Sequence, residues 1–271
     1  MKKALLLVLV IVLGVSVCAG LVGCNQNSDL EKVQSDLEKV QEEDKIVVGV
    51  TVYPPMDYID ENGEWAGFDA ELAQMFADEL GVNCQIVIIN WKQKVAELNG
   101  GQIDLIWNGM TASEELGNEI DFSVAYAKNA QVAVVNSNST IASEEQIKAS
   151  KVAVENGSAG NTVASDIIKP ATLVPVKDQT AAVNEVVAGT SDVAIIDLTM
   201  ASSIVGKGEY ANLKIVEGVS YGDEIFAVGL RKGSDLKERL DAFLKAKYAD
   251  GTMAKLIEKY GNVVLNEDAL K

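Results

Sequence analysis

From Lys45 onward, short β-branched runs alternate with segments of helical periodicity, and this alternation limits the folds open to the chain. A strand is predicted from Ile46 to Thr51, and a helix is predicted to begin at Asp69 as its N-cap and to end at Gly81. The apolar residues of this helix recur at spacings of three and four: Leu72, Met75, Phe76 and Leu80. Such alternation is typical of βαβ units around parallel or mixed sheets and predicts an α/β fold.

The alternation divides into two successive units. The first closes near Ala130. Further strands are predicted at residues 85–89, 103–107, 131–135, 151–155, 173–176 and 193–196, with helical segments between most of them. A strand at 224–230 and amphipathic helices at 235–248 and 253–260 follow, but their pattern does not say which unit they join.

The N-terminus reads as an export signal. Residues 1–3 are basic at Lys2 and Lys3, residues 4–17 are apolar, and residues 21–24 (LVGC) resemble the lipobox of bacterial lipoproteins. This resemblance implies removal of a signal peptide at 1–23 and modification of Cys24 with diacylglycerol and a fatty acid such as palmitate, which would anchor the protein to the cell membrane outside the cytoplasm. The alternative is an ordinary signal peptide with a cysteine nearby by chance.

Residues 24–44 are polar and contain a tandem seven-residue repeat, 28–34 followed by 35–41. One helical stripe carries its apolar residues: Leu30, Val33, Leu37 and Val40. Two heptads are fewer than a coiled coil usually needs, so we expect a partly helical spacer and a monomer. An oligomerisation element is the alternative.

Composition removes several function classes. The net charge is −17, which argues against a nucleic-acid partner, since such binding depends on clusters of Lys and Arg. The chain has no histidine, so the commonest metal ligand and the commonest general base are absent. We therefore predict no metal, no cofactor and no enzymatic activity. Cys84 is expected to be a small buried residue rather than a reactive thiol.

Several short motifs occur together in a fixed order. They are residues 49–56 (GVTVYPPM), 64–69 (EWAGFD), 109–111 (GMT), 121–123 (DFS), 154–158 (VENGS) and 191–194 (SDVA). In order and spacing the chain resembles the polar amino-acid-binding proteins of bacterial ABC importers, extracellular solute-binding protein family 3. The resemblance runs from about Lys45 to about Gly261.

The resemblance implies a two-lobed periplasmic-binding-protein-like fold of type II, with two crossover strands as the hinge. The first lobe would comprise 45–130 and 219–271 and the second 131–218, with crossovers near 127–131 and 218–222. The lobes would close over a small polar, amino-acid-like solute and present it to an ABC permease complex.

The resemblance also implies ligand contacts in the first lobe. Tyr53 corresponds to the aromatic that covers the ligand, and packing between the lobes is its alternative. Trp91 corresponds to another position that lines the cleft, although core packing explains this ring equally well. Asn108, Gly109 and Thr111 follow a predicted strand. In the family, the N–H at this glycine and the threonine hydroxyl hold the ligand carboxylate.

Leu116 departs from the family, which has a carboxylate-binding arginine at this position. In the second lobe, Asp197 matches the carboxylate that receives the ligand's α-ammonium. Glu155 faces either the ligand or solvent, and Ser158 and Ala159 lie on a turn that either binds ligand or only reverses the chain.

An acidic site without the arginine predicts a ligand with a cationic centre whose carboxylate is absent, masked or held by neutral donors alone. The alternative is that another basic residue, such as Lys92 or Lys128, substitutes, or that binding is lost. Two other functions stay open from sequence: a sensory or adaptor lipoprotein, and a periplasmic dehydratase-like enzyme using Glu155 or Asp197.

Overall fold

The computed structural model describes residues 34–271. The predictions on the signal peptide, on Cys24 and on most of the first heptad lie outside these residues. No helix within 34–271 is long and apolar enough to span a bilayer.

The described chain alternates strands and helices as the periodicity predicts. Up to residue 122 the elements are α1 (Asp36–Glu42), β1 (Lys45–Val50), β2 (Tyr58–Ile59), β3 (Trp65–Ala66), α2 (Phe68–Leu80), β4 (Asn83–Ile88), α3 (Lys94–Asn99), β5 (Leu105–Ile106), α4 (Glu114–Gly117) and β6 (Asp121–Phe122). Then come β7 (Ala127–Asn136), α5 (Glu144–Lys148), β8 (Lys151–Glu155), α6 (Ala159–Thr162), β9 (Thr172–Val176), α7 (Gln179–Val187), β10 (Val193–Asp197), α8 (Leu198–Ile204) and β11 (Leu213–Phe226). The last elements are β12 (Gly229–Leu230), α9 (Leu236–Ala249), α10 (Thr252–Tyr260), β13 (Val264–Leu265) and α11 (Glu267–Leu270).

Two mixed sheets form the two lobes. The first has the strand order β4-β1-β5-β12-β6, and the second runs β11-β7-β10-β8-β9 with β13 added beside β7. β1 pairs in parallel with β4 and β5, and β8 pairs in parallel with β9 and β10. Parallel strands place their carboxyl ends on the same edge, where open α/β sheets usually bind ligands.

The antiparallel pair β7 and β11 connects the lobes. Its register begins at Leu213 opposite Asn136 and ends at Phe226 opposite Ala127, next to a bridge between Phe226 and Thr111 of the first lobe. β11 therefore continues beyond the predicted second crossover at 218–222. Gly218 and Gly222 have φ near +72° and coincide with irregularities in the pairing, so they bend the strand rather than end it.

The C-terminal segment returns to the first lobe, a point that its amphipathic pattern left open. β12 lies between β5 and β6, and the Phe243 ring of α9 lies 5.2 Å from Phe76 of α2. Trp107 is fully buried 6.4 Å from the same Phe76 ring, which supports a packing role for this tryptophan.

The second heptad forms α1, but this helix lies against the body. Val40 is buried, and Asp36 accepts a hydrogen bond from Nε of Arg231 at 2.7 Å. Arg231 also donates to Asp104 at 3.0 Å, and Lys39 contacts the same carboxylate at 3.0 Å. Because Asp104 is only 2% exposed, these cations are its charge partners.

We expect Arg231→Met to lower the free energy of unfolding by about 2–4 kcal/mol, because the buried Asp104 and the partly buried Asp36 would both lose a charge partner. The midpoint of urea denaturation measures this loss. The matched control is Arg239→Met, since Arg239 is exposed on α9 and its replacement should change stability by less than about 0.5 kcal/mol. Equal effects of the two substitutions would contradict the assignment.

Candidate functional site

A cavity of about 420 Å³ lies between the lobes. It is lined by all nine predicted ligand-binding residues: Tyr53, Trp91, Asn108, Gly109, Thr111, Glu155, Ser158, Ala159 and Asp197. They come from the strand ends and loops of both sheets, up to 144 residues apart in sequence, as between Tyr53 and Asp197. The fold thus brings the predicted site residues together around one space.

Two aromatic rings form the apolar wall of the first lobe. Tyr53 is 2% exposed and its ring meets Phe226 edge-on at 6.4 Å. Trp91 is 6% exposed and packs in a cluster with Leu98. Both rings therefore line the cavity and also pack in the protein. A Cβ on Gly109 would lie 2.5 Å from the Tyr53 ring, so the close approach of this loop requires glycine.

Asp69 is not the N-cap that the sequence predicts. The helix begins at Phe68 after Gly67, and no side chain caps it. Asp69 is instead buried and accepts hydrogen bonds from the Gly109 N–H and the Tyr126 hydroxyl, each at 2.7 Å. The N–H that the family resemblance assigns to a ligand carboxylate is thus already bonded within the protein.

The Asn108 side chain is also occupied. Its Oδ1 accepts from the N–H and the hydroxyl of Thr51 at 2.9 Å, and its Nδ2 donates to the Thr51 carbonyl and to Asp57. Asn108 therefore ties the end of β1 to its own loop. Its main chain, rather than its amide, is the part that can face a ligand.

The Thr111 hydroxyl donates to Glu224 Oε2 at 3.0 Å. Glu224 lies near the end of β11, and no motif singles it out. This contact joins the first-lobe loop to the hinge strand. It also places the Glu224 carboxylate beside the hydroxyl that, by the resemblance, would bind the carboxylate of the ligand.

Asp197 lies at the carboxyl end of β10 and is 4% exposed. Its Oδ1 accepts from Asn129 Nδ2 and Gln131 Nε2, each at 2.5 Å, and its Oδ2 accepts from Gln179 Nε2. Burial raises the pKa of Asp197 to about 7, and the charge of Glu224 adds to the rise. The three amides hold the carboxylate in place but supply no positive charge.

Glu155 ends β8 and faces the cavity rather than solvent. It is 2% exposed, and its Oε1 has no hydrogen-bond partner among the described residues. Burial raises its pKa to about 8, and the charge of Asp197 adds to the rise. The next turn leads to Ser158, whose hydroxyl accepts the Asn161 N–H at 3.1 Å and caps α6 at Ala159.

Lys94 is the basic residue of the cavity, whereas Lys92 and Lys128, the predicted substitutes, are exposed and do not line it. Its Nζ lies 4.9 Å from the Trp91 ring centroid and donates to the Gly157 carbonyl of the second lobe at 2.9 Å. Burial lowers the pKa of Lys94 to about 8.

Sequence reasoning missed Lys94, Glu224 and the amides around Asp197. Two signals were present. Asn129 and Gln131 are two residues apart in a strand, so both amides share one face. Lys94 follows Trp91 by three residues, which places both on one side of a helical turn. No local signal identifies Glu224.

We expect the ligand-free protein to lose thermal stability as pH rises from about 5 to about 8. Glu155 and Asp197 keep their protons in the folded state up to about pH 8 and 7, whereas the unfolded chain releases them near pH 4. Their contribution is therefore complete below pH 4 and is lost as pH passes the folded pKa. The lowered pKa of Lys94 acts oppositely, but only above about pH 8.

Melting temperatures across this range would fall by at least about 3 °C. Asp197→Asn, which cannot ionise, should reduce the fall. Asp166→Asn, at an exposed position of the second lobe, should leave it unchanged. A melting temperature that rises towards pH 8 in the wild type would contradict the proposed burial of uncompensated carboxylates.

Comparisons with known proteins agree with this architecture. The profile of the bacterial extracellular solute-binding proteins, family 3, matches residues 46–263. The L-cystine-binding protein TcyJ of Escherichia coli (strain K12) is 27% identical over 225 residues, covering 82% of this chain and 84% of that protein. The ABC transporter glutamine-binding protein GlnH of Bacillus subtilis (strain 168) is 28% identical over 269 residues, covering 96% and 97%.

A crystal structure of a mutant of ArgBP from T. maritima is similar, with a TM-score of 0.78 and 30% sequence identity. The match covers 83% of this chain and 98% of that one. The two sheets joined by β7 and β11, the interlobe cavity and these matches lead to one conclusion: the chain belongs to the bacterial extracellular solute-binding proteins, family 3.

Proposed function

We propose that this protein captures an amino acid or a related amine-bearing solute between its lobes and delivers it to an ABC permease complex. The observation that carries the proposal is the interlobe cavity, in which aromatic walls meet a buried carboxylate, Asp197, at a strand end. GlnH is named as a component of an ABC transporter, and TcyJ and GlnH are named for the amino acids they bind.

Direct contacts between the lobes supply a physical basis for delivery. Lys94 Nζ donates to the Gly157 carbonyl, and the Thr180 hydroxyl donates to the Val52 carbonyl at 3.2 Å. A solute that touches both lobes favours the state in which these contacts form. A permease that recognises this closed state accepts loaded protein in preference to empty protein.

The relatives favour capture over turnover. TcyJ and GlnH match most of the length of this chain and are named as binding proteins. We propose that the protein is a monomeric carrier without enzymatic activity. Incubation with dehydratase substrates should leave them unchanged.

We expect Asp197→Asn to weaken solute binding by about 30-fold or more, because a neutral amide cannot balance the charge of a buried ammonium. Thermal shift across amino acids, amino amides and amines measures the effect, since saturating ligand adds about 2.7 kcal/mol of stability at a hundred times Kd. Asp166→Asn is the control and should bind like the wild type. Unchanged binding by Asp197→Asn would remove this residue from the site.

We propose further that the mature protein is a lipoprotein anchored through Cys24 to the outer face of the cell membrane. The basis is the sequence 21–24 (LVGC) after a basic and apolar leader.

Cys24→Ala should move the protein from the membrane fraction to the soluble extracytoplasmic fraction and abolish labelling by a palmitate analogue. Each buried methylene contributes about 0.8 kcal/mol to membrane attachment, so the loss should be nearly complete. Cys84→Ala is the control, because Cys84 lies in the folded body. Fractionation of Cys24→Ala with the membrane would overturn the anchor.

A further inference from the structure

Two carboxylates meet where the hinge strands cross the cavity. Asn129 Nδ2 and Gln131 Nε2 each donate to Asp197 Oδ1 at 2.5 Å and to Glu224 Oε2 at 2.9 Å. The same pair of neutral amides therefore holds both acids. Two negative charges this close repel each other unless a cation lies between or beside them.

A third carboxylate faces the same cavity, and one of its oxygens has no hydrogen-bond partner among the described residues. Glu155 is 98% buried, as its 2% exposure shows, and its Oε1 has no hydrogen-bond partner among residues 34–271. Leaving such an oxygen unpaired destabilises the folded protein, and more so when the oxygen is charged. This oxygen can accept a hydrogen bond from a bound ligand, because no described residue donates one to it.

The positive charges of the described chain do not balance these acids. Lys94 is the basic residue that lines the cavity, and its charge favours the ionised form of Glu155, but one ammonium faces three carboxylates. Leu116 stands where the family resemblance implies an arginine. Arg231 is bonded to Asp36 and Asp104 at the base of α1, and Arg239 is exposed on α9. A proton on Glu155 or Asp197 offsets part of this excess, and a cationic ligand would offset it in place of that proton.

The first-lobe groups that would bind a ligand carboxylate already donate hydrogen bonds within the protein. The Gly109 N–H donates to Asp69, and the Thr111 hydroxyl donates to Glu224. A carboxylate in this cavity would meet Glu155, Asp197 and Glu224 with Lys94 as its cation. Its burial would therefore be unfavourable.

We propose that the cavity selects an organic dication without a free carboxylate, a solute with two amine or guanidine centres. One centre is held by Asp197 and Glu224 and the other by Glu155. The inference rests on the proposed function of solute capture and specifies its ligand class.

The remaining walls suit the middle of such a molecule. Tyr53 and Trp91 present flat faces, and Met110, Leu116 and Val163 add apolar surface. Methylene groups between two cationic ends would lie against these side chains and leave water. Aromatic faces also attract cations directly. A cavity of about 420 Å³ falls within the usual range for small-molecule ligands.

Calorimetry with two matched sets of probes tests the proposal. Agmatine is arginine without its carboxylate, cadaverine is lysine without its carboxylate, and pentylamine is cadaverine without one amine. We expect agmatine and cadaverine to bind at least about tenfold more tightly than arginine and lysine, and cadaverine to bind at least about tenfold more tightly than pentylamine. Glutamate should not bind.

If arginine or lysine binds as tightly as the matched amine, the claim that the ligand lacks a free carboxylate is wrong. If pentylamine binds as tightly as cadaverine, the claim that the ligand needs a second cationic centre is wrong. If standard amino acids bind and no diamine does, the ligand class is wrong while solute capture stands. If nothing binds in either the amine or the amino-acid screen, the proposed function fails as well.

Two variants separate the charge argument from general disruption. Leu116→Arg should improve arginine binding relative to agmatine by at least about tenfold, with Leu116→Met as the control for packing. Glu155→Gln should weaken cadaverine by at least about tenfold and leave pentylamine nearly unchanged, because the amide keeps the shape and removes one charge. An equal loss for both amines would contradict a direct role for Glu155.

Discussion

The antiparallel pairing of β7 with β11 is the constraint on which the rest of the structure depends. These strands belong to the second sheet for most of their length and then enter the first lobe, where Phe226 bridges to Thr111. The pairing fixes which faces of the lobes can meet. It also places Glu224 on the cavity wall and the amides of Asn129 and Gln131 within hydrogen-bonding distance of it, so the hinge strands hold carboxylates of the cavity.

That arrangement has an energetic consequence. Buried carboxylates that outnumber their cationic partners destabilise the ligand-free protein, and the raised pKa values of Glu155 and Asp197 express this cost. Under the proposed ligand class, a cationic solute would supply positive charge to these carboxyls and a donor to Glu155. Its binding would then stabilise the closed lobes, because the solute contacts both of them.

One substitution within a retained scaffold can redirect such a site. The family resemblance implies an arginine at the position of Leu116, and its guanidinium would both bind a carboxylate and offset nearby acids. With leucine there, Glu155 and Asp197 have no such partner, and the internal bonds of Gly109 and Thr111 remove two further donors. In the proposed reading, the balance of charge in the cavity sets the ligand class, while the sheets and the aromatic walls keep the family arrangement.

Periodicity and motif order determined the alternation of strands and helices, the two α/β units and the residues such as Tyr53 and Asp197 that meet in the cavity, because these depend on local pattern and on a shared family arrangement. Only the tertiary structure decided which residues are hydrogen-bond partners in and around the cavity. Asp69 bonds Gly109 across 40 residues, and Glu224 meets Asn129 across 95. Such bonds leave no local signature, since their donors and acceptors become neighbours only when sheet pairing and lobe packing bring distant strand ends together.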